Sequence, residues 1–231
     1  MNFLEPGNPV RIKICGITSP TDAEMAAAAG ADALGFNFYR GSKRCISFEE
    51  SQAWIASLAG RAFRVAVVVN AGTNELRTLR DSGCFEAVQF HGDETPEFCA
   101  DAGFPAWIRA VRVRSEESLR EALRYDTPYL LLDAWSETAY GGTGCRLDWH
   151  LVREFVVAHP DRQVILAGGL APENIREAIR ISHPHAVDAA GGVETSSGRK
   201  DRDRVVNFVR AVRGNGDRSE GKRVQGKARR A

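Results

Sequence analysis

The chain has 231 residues, of which 43% are hydrophobic, so it can bury one sizeable core in a single α/β domain. Its 31 basic and 30 acidic residues nearly cancel, which provides no overall field for a nucleic acid or a membrane surface. Its five cysteines lack CxxC spacing, which argues against a disulfide framework or a structural zinc site and favours a reducing cytoplasm.

Short β-branched runs alternate with helix-like stretches along most of the chain. The predicted strands are residues 11–15, 33–38, 64–69, 87–90, 107–113, 129–133, 163–167 and 186–190. The predicted helix starts are Ser19-Pro20, Ser47 with Glu50 as a capping box, Thr73, Thr95-Pro96, Ser115 with Ser118, Asp148, Ala171-Pro172 and Asp201. Eight such units, without a GxGxxG or GxxxxGK[ST] nucleotide motif, favour a closed (β/α)8 TIM barrel over an open parallel sheet.

The two ends of the chain differ from this alternating region. We expect residues 1–10 to be an N-terminal extension, residues 11–212 the catalytic barrel, and residues 213–231 a basic, disordered tail. The tail is rich in glycine and almost without apolar residues, so it cannot bury enough surface to offset its ordering entropy. The N-terminal residues do not resemble a signal peptide and no apolar stretch approaches the ~18 residues of a membrane span, so we expect an unexported protein.

Catalytic residues of such barrels lie at the C-terminal ends of strands, and the first predicted strand ends in Cys15. Strand alternation puts Lys13 on the same face, where its charge would favour the thiolate. A thiolate can act as a base or a nucleophile, whereas an isolated cysteine is more often a small buried hydrophobe. The position at a strand end favours the catalytic interpretation.

Two further polar residues follow the second and fourth strands. Arg44 lies on a loop that should overhang the barrel mouth, where its planar fork suits a carboxylate, although simple solvation is equally common. His91 ends the fourth strand and suits either a base or a substrate contact, or a structural role.

Two aspartates compete for the role of a general acid. Asp133 ends the sixth strand after an apolar run, and desolvation there would raise its pKa unless a cation held it ionised. A helix cap or a structural salt bridge is the alternative role for Asp133. Asp188 lies inside the eighth strand rather than at its end, so we rank it second.

Glycine-rich segments follow the last three strands, and they indicate a phosphate site. Glycines let backbone N–H groups converge on phosphate oxygens, and the loops after strands seven and eight form the usual phosphate site of this fold. A single glycine pair is more often just a tight turn, but two pairs after consecutive strands favour a phosphorylated substrate. The candidate phosphate residues are Gly142, Thr143, Gly144, Gly168, Gly169, Gly191 and Gly192.

Seven motifs in order resemble those of the phosphoribosylanthranilate isomerase family, across residues 11–212. They are KICGIT at 13–18, GADALGF at 30–36, SKRCIS at 42–47, AVQFHGDE at 87–94, LLLDAW with YGGTG at 130–144, LAGGLAPENI at 166–175, and VDAAGGVE with GRKD at 187–201. The resemblance implies a TIM-barrel enzyme of tryptophan biosynthesis that performs an Amadori rearrangement of N-(5-phosphoribosyl)anthranilate to 1-(2-carboxyphenylamino)-1-deoxyribulose 5-phosphate. It implies no metal and no organic cofactor.

The resemblance also implies roles for individual residues. Asp133 would be the general acid that opens the ribose ring, and Cys15 the general base that removes the C2′ proton. Arg44 would pair with the anthranilate carboxylate, and the glycine loops would hold the phosphate. Such barrels occur as monomers and as homodimers, so either state is expected.

Three departures and three alternatives accompany this interpretation. Ala190 and Gly191 stand where the family often has serines, Cys145 stands for a lysine, and residues 37–41 are more polar than usual. A metal-dependent epimerase would need more histidines at strand ends, and a two-aspartate isomerase would need an acid at position 15. A non-catalytic module that binds a phosphorylated ligand would have lost the acid or the base, and this chain retains both.

Overall fold

The computed structural model describes residues 3–4, 10–134 and 147–214, and within them eight parallel strands form a closed barrel. The strands are β1 Arg11–Cys15, β2 Ala33–Asn37, β3 Phe63–Val68, β4 Ala87–Phe90, β5 Trp107–Val113, β6 Tyr129–Ala134, β7 Gln163–Leu166 and β8 Ala186–Ala189. Each strand pairs in parallel with the next, and β8 pairs with β1. The predicted barrel is confirmed, and every predicted strand boundary agrees within one residue.

Eight α-helices follow these strands within the described residues. They are α1 Pro20–Ala29, α2 Phe48–Ala56, α3 Thr73–Asp81, α4 Pro96–Ala100, α5 Glu116–Ala122, α6 Trp149–Ala158, α7 Ile175–Ser182 and α8 Arg202–Arg213. Side chains of the predicted caps Ser19, Ser47, Thr95, Asp148 and Asp201 accept hydrogen bonds from N–H groups of the first turn. These caps fix where each loop ends and each helix begins.

The predicted start of the seventh helix at Ala171-Pro172 is wrong, because α7 begins at Ile175. The side-chain oxygen of Asn174 accepts from the N–H of Ala171, and its amide nitrogen donates to the carbonyl of Gly169. These two bonds fold residues 169–174 into a turn, so the helix starts only after it.

A small antiparallel hairpin after β8 was not predicted. A single 3₁₀ turn, Gly191–Val193, leads into β9 Glu194–Ser196, which pairs with β10 Arg199–Lys200 before α8 begins. Strands of two or three residues carry no readable periodicity, so the sequence gives no sign of them.

Two apolar layers stabilise the barrel. The larger layer lies between the sheet and the surrounding helices, and the smaller one fills the barrel interior with the side chains of Val65, Ile108 and Leu131. The interior layer also contains Phe3 and Leu4, which are 3% and 4% exposed. The Phe3 ring lies 6.0 Å from the ring of Phe63, the first residue of β3, so the N-terminal segment covers the barrel at its N-terminal end.

The last helix ends at Arg213, and residues 215–231 of the predicted tail lie outside the described residues, as do residues 5–9 of the predicted extension. Arg213 donates to the carbonyl of Val10 and to the Asp32 carboxylate, which ties α8 to the start of β1. Within the ranges that the structure describes, no helix has the length and apolar composition needed to cross a membrane.

Replacement of Phe3 tests whether the N-terminal segment closes the barrel. Phe3→Ala removes a ring buried in the interior layer, so we expect the free energy of unfolding to fall by about 3 kcal/mol. At roughly 2–4 °C per kcal/mol, the melting temperature should fall by about 6–12 °C. Phe3→Leu, which keeps most of the apolar volume, should lose less. An unchanged melting temperature for Phe3→Ala would show that this segment contributes nothing to stability.

Candidate active site

The first strand places an ammonium group and a thiol beside each other. Lys13 is fully buried, and Cys15 ends β1 two residues later in a partly buried position. A Cβ at Gly35, on β2, would lie 2.7 Å from Cys15 Sγ and 3.0 Å from Lys13 Nζ. Both groups therefore occupy the space that Gly35 leaves, and a side chain there would displace at least one of them.

Lys13 forms a buried ion pair with Asp188 across the contact between β1 and β8. The two residues are register partners, and Lys13 Nζ lies 3.0 Å from Asp188 Oδ1. Burial lowers the pKa of Lys13, but Asp188 and Cys15 outweigh this and raise it above its usual value. The ammonium group therefore stays charged. Burial raises the pKa of Asp188, while the charge of Lys13 opposes that rise.

The Cys15 thiol responds to charges of both signs. Burial and the negative charge of Asp188 raise its pKa above the usual value, and the charges of Lys13 and Lys200 counteract only part of that rise. The thiol is therefore protonated at neutral pH. The balance between one carboxylate and two ammonium groups decides how readily it ionises.

Asp133 is the second-last residue of β6, one position earlier relative to the strand end than the sequence predicts. The residue is buried, and its Oδ1 accepts a hydrogen bond of 2.8 Å from the N–H of Ala134. A Cβ at Gly168 would lie 3.1 Å from the same Oδ1, so the loop after β7 passes directly beside the carboxyl group. No hydrogen bond to Asp133 Oδ2 is present among the described residues.

His91 follows β4 and lies next to Asp133. Its Nε2 is 3.5 Å from Asp133 Oδ2, and its Nδ1 is 3.3 Å from the side-chain nitrogen of Gln89. Because an amide nitrogen can only donate, Nδ1 is the acceptor and the neutral ring carries its proton on Nε2. The protonated Nε2 therefore lies near the Asp133 carboxyl group, although it forms no hydrogen bond within the described part of the chain. Asp133 raises and His91 lowers the pKa of Asp188, which places these three residues in one electrostatic cluster.

The glycine pairs after β7 and β8 bring their two loops together. Gly168 and Gly169 have φ angles of +86° and +66°, which side chains other than glycine rarely adopt. A Cβ at Gly192 would collide with the backbone of Leu170, so the loop after β8 packs directly on the loop after β7. Among the described residues, the N–H groups of Gly168 and Gly169 have no hydrogen-bond partner. They are available to an anion.

Arg44 lies at the ends of β1 and β8, but its predicted carboxylate fork is already partly used. Its Nε and Nη2 donate to the two carboxylate oxygens of Glu194, at 2.8 and 2.7 Å. These hydrogen bonds raise the pKa of Arg44 despite the opposing effect of burial. Glu194 therefore occupies one edge of the guanidinium group that the sequence predicts as a carboxylate contact, and only part of that group is left for solvent or a ligand.

Two residues of this site, Glu194 and Lys200, are not predicted from the sequence. Lys200 is fully buried at its side chain and donates to Glu194 Oε1 at 2.7 Å and to the carbonyl oxygen of Cys15 at 2.6 Å. Both residues lie within motifs that carry the family resemblance, VDAAGGVE and GRKD. Their place in these motifs is the only sign of the two residues in the sequence, because the hairpin that positions them could not be predicted.

Three predicted site residues lie outside the described residues, namely Gly142, Thr143 and Gly144. The other predicted residues, Cys15, Arg44, His91, Asp133 and the glycines after β7 and β8, all follow or end barrel strands at the same face. In the described part of the chain, no group of three or more His, Cys, Asp or Glu side chains could hold a metal ion.

Comparison with known proteins relates this face to one enzyme family. Residues 12–211 match the family described as N-(5'phosphoribosyl)anthranilate (PRA) isomerase. The chain is 42% identical over 202 residues to N-(5'-phosphoribosyl)anthranilate isomerase of Neisseria meningitidis serogroup C, covering 87% of this chain and 95% of that protein.

Solved structures give the same result. The phosphoribosyl anthranilate isomerase of Thermotoga maritima superposes with a TM-score of 0.81 at 38% identity, covering 89% of this chain and 100% of that one. A second structure holds reduced 1-(o-carboxyphenylamino)-1-deoxyribulose 5-phosphate, with a TM-score of 0.77, 37% identity and coverage of 89% and 100%. A third, of monomers generated from the dimeric Thermotoga maritima protein, has a TM-score of 0.77, 36% identity and the same coverage.

The Lys13–Asp188 pair makes a prediction about the thiol. Asp188→Asn removes a negative charge that raises the Cys15 pKa and leaves Lys13 free to stabilise the thiolate, so the thiol pKa should fall. The pH dependence of iodoacetamide alkylation of Cys15, followed by mass spectrometry, should then move to lower pH. Cys45 in the same sample is the internal control and should keep its profile. A shift of the Cys15 profile to higher pH would contradict this electrostatic account.

Proposed function

The chain belongs to the N-(5'-phosphoribosyl)anthranilate isomerase family, and from this premise we propose how its own residues perform the reaction. It is an enzyme of tryptophan biosynthesis that converts N-(5'-phosphoribosyl)anthranilate to 1-(2-carboxyphenylamino)-1-deoxyribulose 5-phosphate. The observation that carries the assignment of roles is the placement of a thiol on β1 and a carboxyl group on β6 at the same end of one barrel.

Asp133 acts first, as the general acid. Its protonated Oδ2 gives a proton to the ring oxygen of the ribose, the bond between that oxygen and C1′ breaks, and the nitrogen lone pair forms a protonated Schiff base. The N–H of Ala134 holds Oδ1, so the carboxyl group keeps one orientation during this step. The Nε2–H of His91 faces the carboxylate that remains, 3.5 Å from Oδ2, and stabilises its negative charge.

Cys15 acts second, as the general base. The Schiff base carries a positive charge that, together with Lys13, favours the thiolate, so the thiol proton passes to solvent water. The thiolate then removes the proton from C2′, and the electrons of that bond neutralise the Schiff base to give an enolamine. Tautomerisation of the enolamine, with gain of a proton at C1′ and loss of the hydroxyl proton at C2′, gives the ketone. Proton transfers alone drive each step, so this reaction mechanism needs no metal and no organic cofactor.

The phosphate of the substrate would bind the loops after β7 and β8. The free N–H groups of Gly168 and Gly169 support this site, and Gly191 and Gly192 of the adjoining loop complete it through their backbone. Gly142, Thr143 and Gly144 remain part of the proposal on the family motif alone. The anthranilate carboxylate would bind the edge of Arg44 that Glu194 leaves open.

We also propose that the enzyme works in the cytoplasm, as a monomer or a homodimer, without a nucleic-acid or membrane partner. A catalytic thiol must stay reduced, and a reducing compartment keeps it so. A dimeric relative from Thermotoga maritima makes the homodimer a reasonable state to test by sedimentation.

A direct assay tests the reaction itself. Purified protein in a chelating buffer should consume fluorescent phosphoribosylanthranilate, and Asp133→Asn should reduce kcat by about 10²–10⁴-fold because its side chain cannot supply the proton. No turnover by the natural chain would contradict the isomerase function and favour a binding module. Turnover that requires an added divalent metal ion would favour a different isomerase or epimerase on the same barrel.

Cys15→Ser tests the base. A serine hydroxyl has nearly the same shape but does not ionise near neutral pH, so kcat should fall by about 10²–10⁴-fold while KM changes little. Cys84→Ser is the matched control, because Cys84 is buried away from the site with its Sγ near the carbonyl oxygen of Gln52. An unchanged kcat for Cys15→Ser would remove Cys15 from the mechanism.

A further inference from the structure

Arg44 is held along one complete edge of its guanidinium group. Nε and Nη2 donate in parallel to Oε1 and Oε2 of Glu194, at 2.8 and 2.7 Å, across 150 residues of sequence. The side chains of Arg44 and Glu194 are 16% and 3% exposed. A bidentate pair of this kind fixes both the position and the plane of the guanidinium group.

Glu194 is itself fixed by other groups. Its Oε1 also accepts from Lys200 Nζ at 2.7 Å and from the N–H of Gly198 at 3.3 Å. Lys200 in turn donates to the carbonyl oxygens of Cys15 and Ala190, at 2.6 and 3.3 Å. These contacts therefore anchor Glu194, and through it Arg44, to Cys15, the last residue of β1.

The charges of this cluster leave it positive. Burial lowers the pKa of Lys200, while its ion pair with Glu194 opposes that fall. With Lys200 protonated, Arg44 and Lys200 contribute two cations and Glu194 one anion, so a net charge of about +1 remains for an incoming carboxylate. Burial raises the pKa of Glu194, but the hydrogen bonds and charges of Arg44 and Lys200 lower it below its usual value. Glu194 is therefore ionised. Without Lys200, the charge of Glu194 would cancel that of Arg44.

The second edge of Arg44 is open. A guanidinium group has five N–H donors, and Glu194 takes one from Nε and one from Nη2. Nη1 has no hydrogen-bond partner among the described residues, and it is not one of the buried polar atoms without a partner, so it reaches solvent. A Cβ at Gly16 would collide with the Arg44 side chain, and one at Gly191 would lie 3.3 Å from Nη2. Two glycines therefore make room for this conformation.

We propose that Glu194, anchored by Lys200, is a positioning residue that holds the Arg44 guanidinium with its Nη1–Nη2 edge ready for the anthranilate carboxylate. The inference rests on the proposed function, and it adds a specificity role for a residue that touches no reacting atom. A positioning role and a structural role predict different results. Loss of a positioning Glu194 should weaken the binding of ligands that carry the carboxylate, whereas loss of a merely structural residue should weaken the binding of all ligands alike.

Two probes that differ by one group test the proposal by calorimetry. The first is reduced 1-(2-carboxyphenylamino)-1-deoxyribulose 5-phosphate, and the second is the same compound without the carboxylate. The natural protein should prefer the first by about tenfold or more, as a charge-assisted bidentate contact provides. Glu194→Gln should reduce that preference to about threefold or less, with the affinity for the second probe unchanged within about twofold. Retention of the full preference, or equal weakening of both probes, would overturn the proposal.

A double-mutant cycle tests whether Glu194 acts through Arg44. Arg44→Ala should abolish the preference, and adding Glu194→Gln to it should cause no further loss. A further loss in the double variant would overturn the proposal. If thermal melting shows that Glu194→Gln does not fold, Glu194→Asp replaces it. The shorter carboxylate cannot hold Arg44 in the same place, so Glu194→Asp should also lower the preference for the carboxylate probe. An undiminished preference for Glu194→Asp would then overturn it.

Glu86→Gln is the matched control. Glu86 forms a comparable contact with Arg64 just before β4, at the opposite end of the barrel from the active site. This variant should lose stability but keep the full preference for the carboxylate probe, and a fall in that preference would count against the proposal. A natural protein that binds neither probe and shows no turnover would instead refute the proposed function.

Discussion

The buried ion pair between Lys13 and Asp188 joins the first and last strands of the barrel and sets the charges around the candidate active site. It lies between β1 and β8, the two strands whose pairing closes the sheet. Such a pair adds little net stability compared with apolar residues, but loss of one partner typically costs about 3–5 kcal/mol because the other charge remains buried. Its main contribution here is a fixed ammonium group beside the Cys15 thiol, in the space that Gly35 leaves.

The barrel gives Asp133, the proposed acid, and Cys15, the proposed base, different surroundings. The pKa of Cys15 is influenced by the ammonium groups of Lys13 and Lys200 and by Asp188, so its ionisation depends on neighbouring charges. Asp133 is instead oriented by a backbone N–H and faces the Nε2 of His91. Asp188 interacts electrostatically with both groups. A positive charge that develops on the substrate between acid and base would therefore be matched by a carboxylate already in place.

The sequence predicts features that depend on local pattern, such as strand limits and helix starts. It does not predict contacts between residues that are far apart along the chain. Strand limits follow from apolar runs, and helix starts follow from capping residues, so both agree closely with the structure. The predicted start of α7 was wrong because the Asn174 side chain closes a turn where the helix was expected to begin. The partner of Arg44 was not predictable, since Glu194 lies 150 residues away on a hairpin of two very short strands. Strand ends thus locate the site, but not the contacts within it.

The loop after β8 shows why this chain can depart from its family without losing the site. Ala190 and Gly191 lack the hydroxyls that serines would offer to a phosphate, which leaves that task to backbone N–H groups. In return, Gly191 presents no side chain to Arg44, whose Nη2 would lie only 3.3 Å from a Cβ at that position. Lys200 binds the carbonyl of Ala190 and the carboxylate of Glu194 together. The loop that we propose to contact the phosphate is therefore also part of the proposed frame that orients Arg44, and a change at position 191 should affect both contacts.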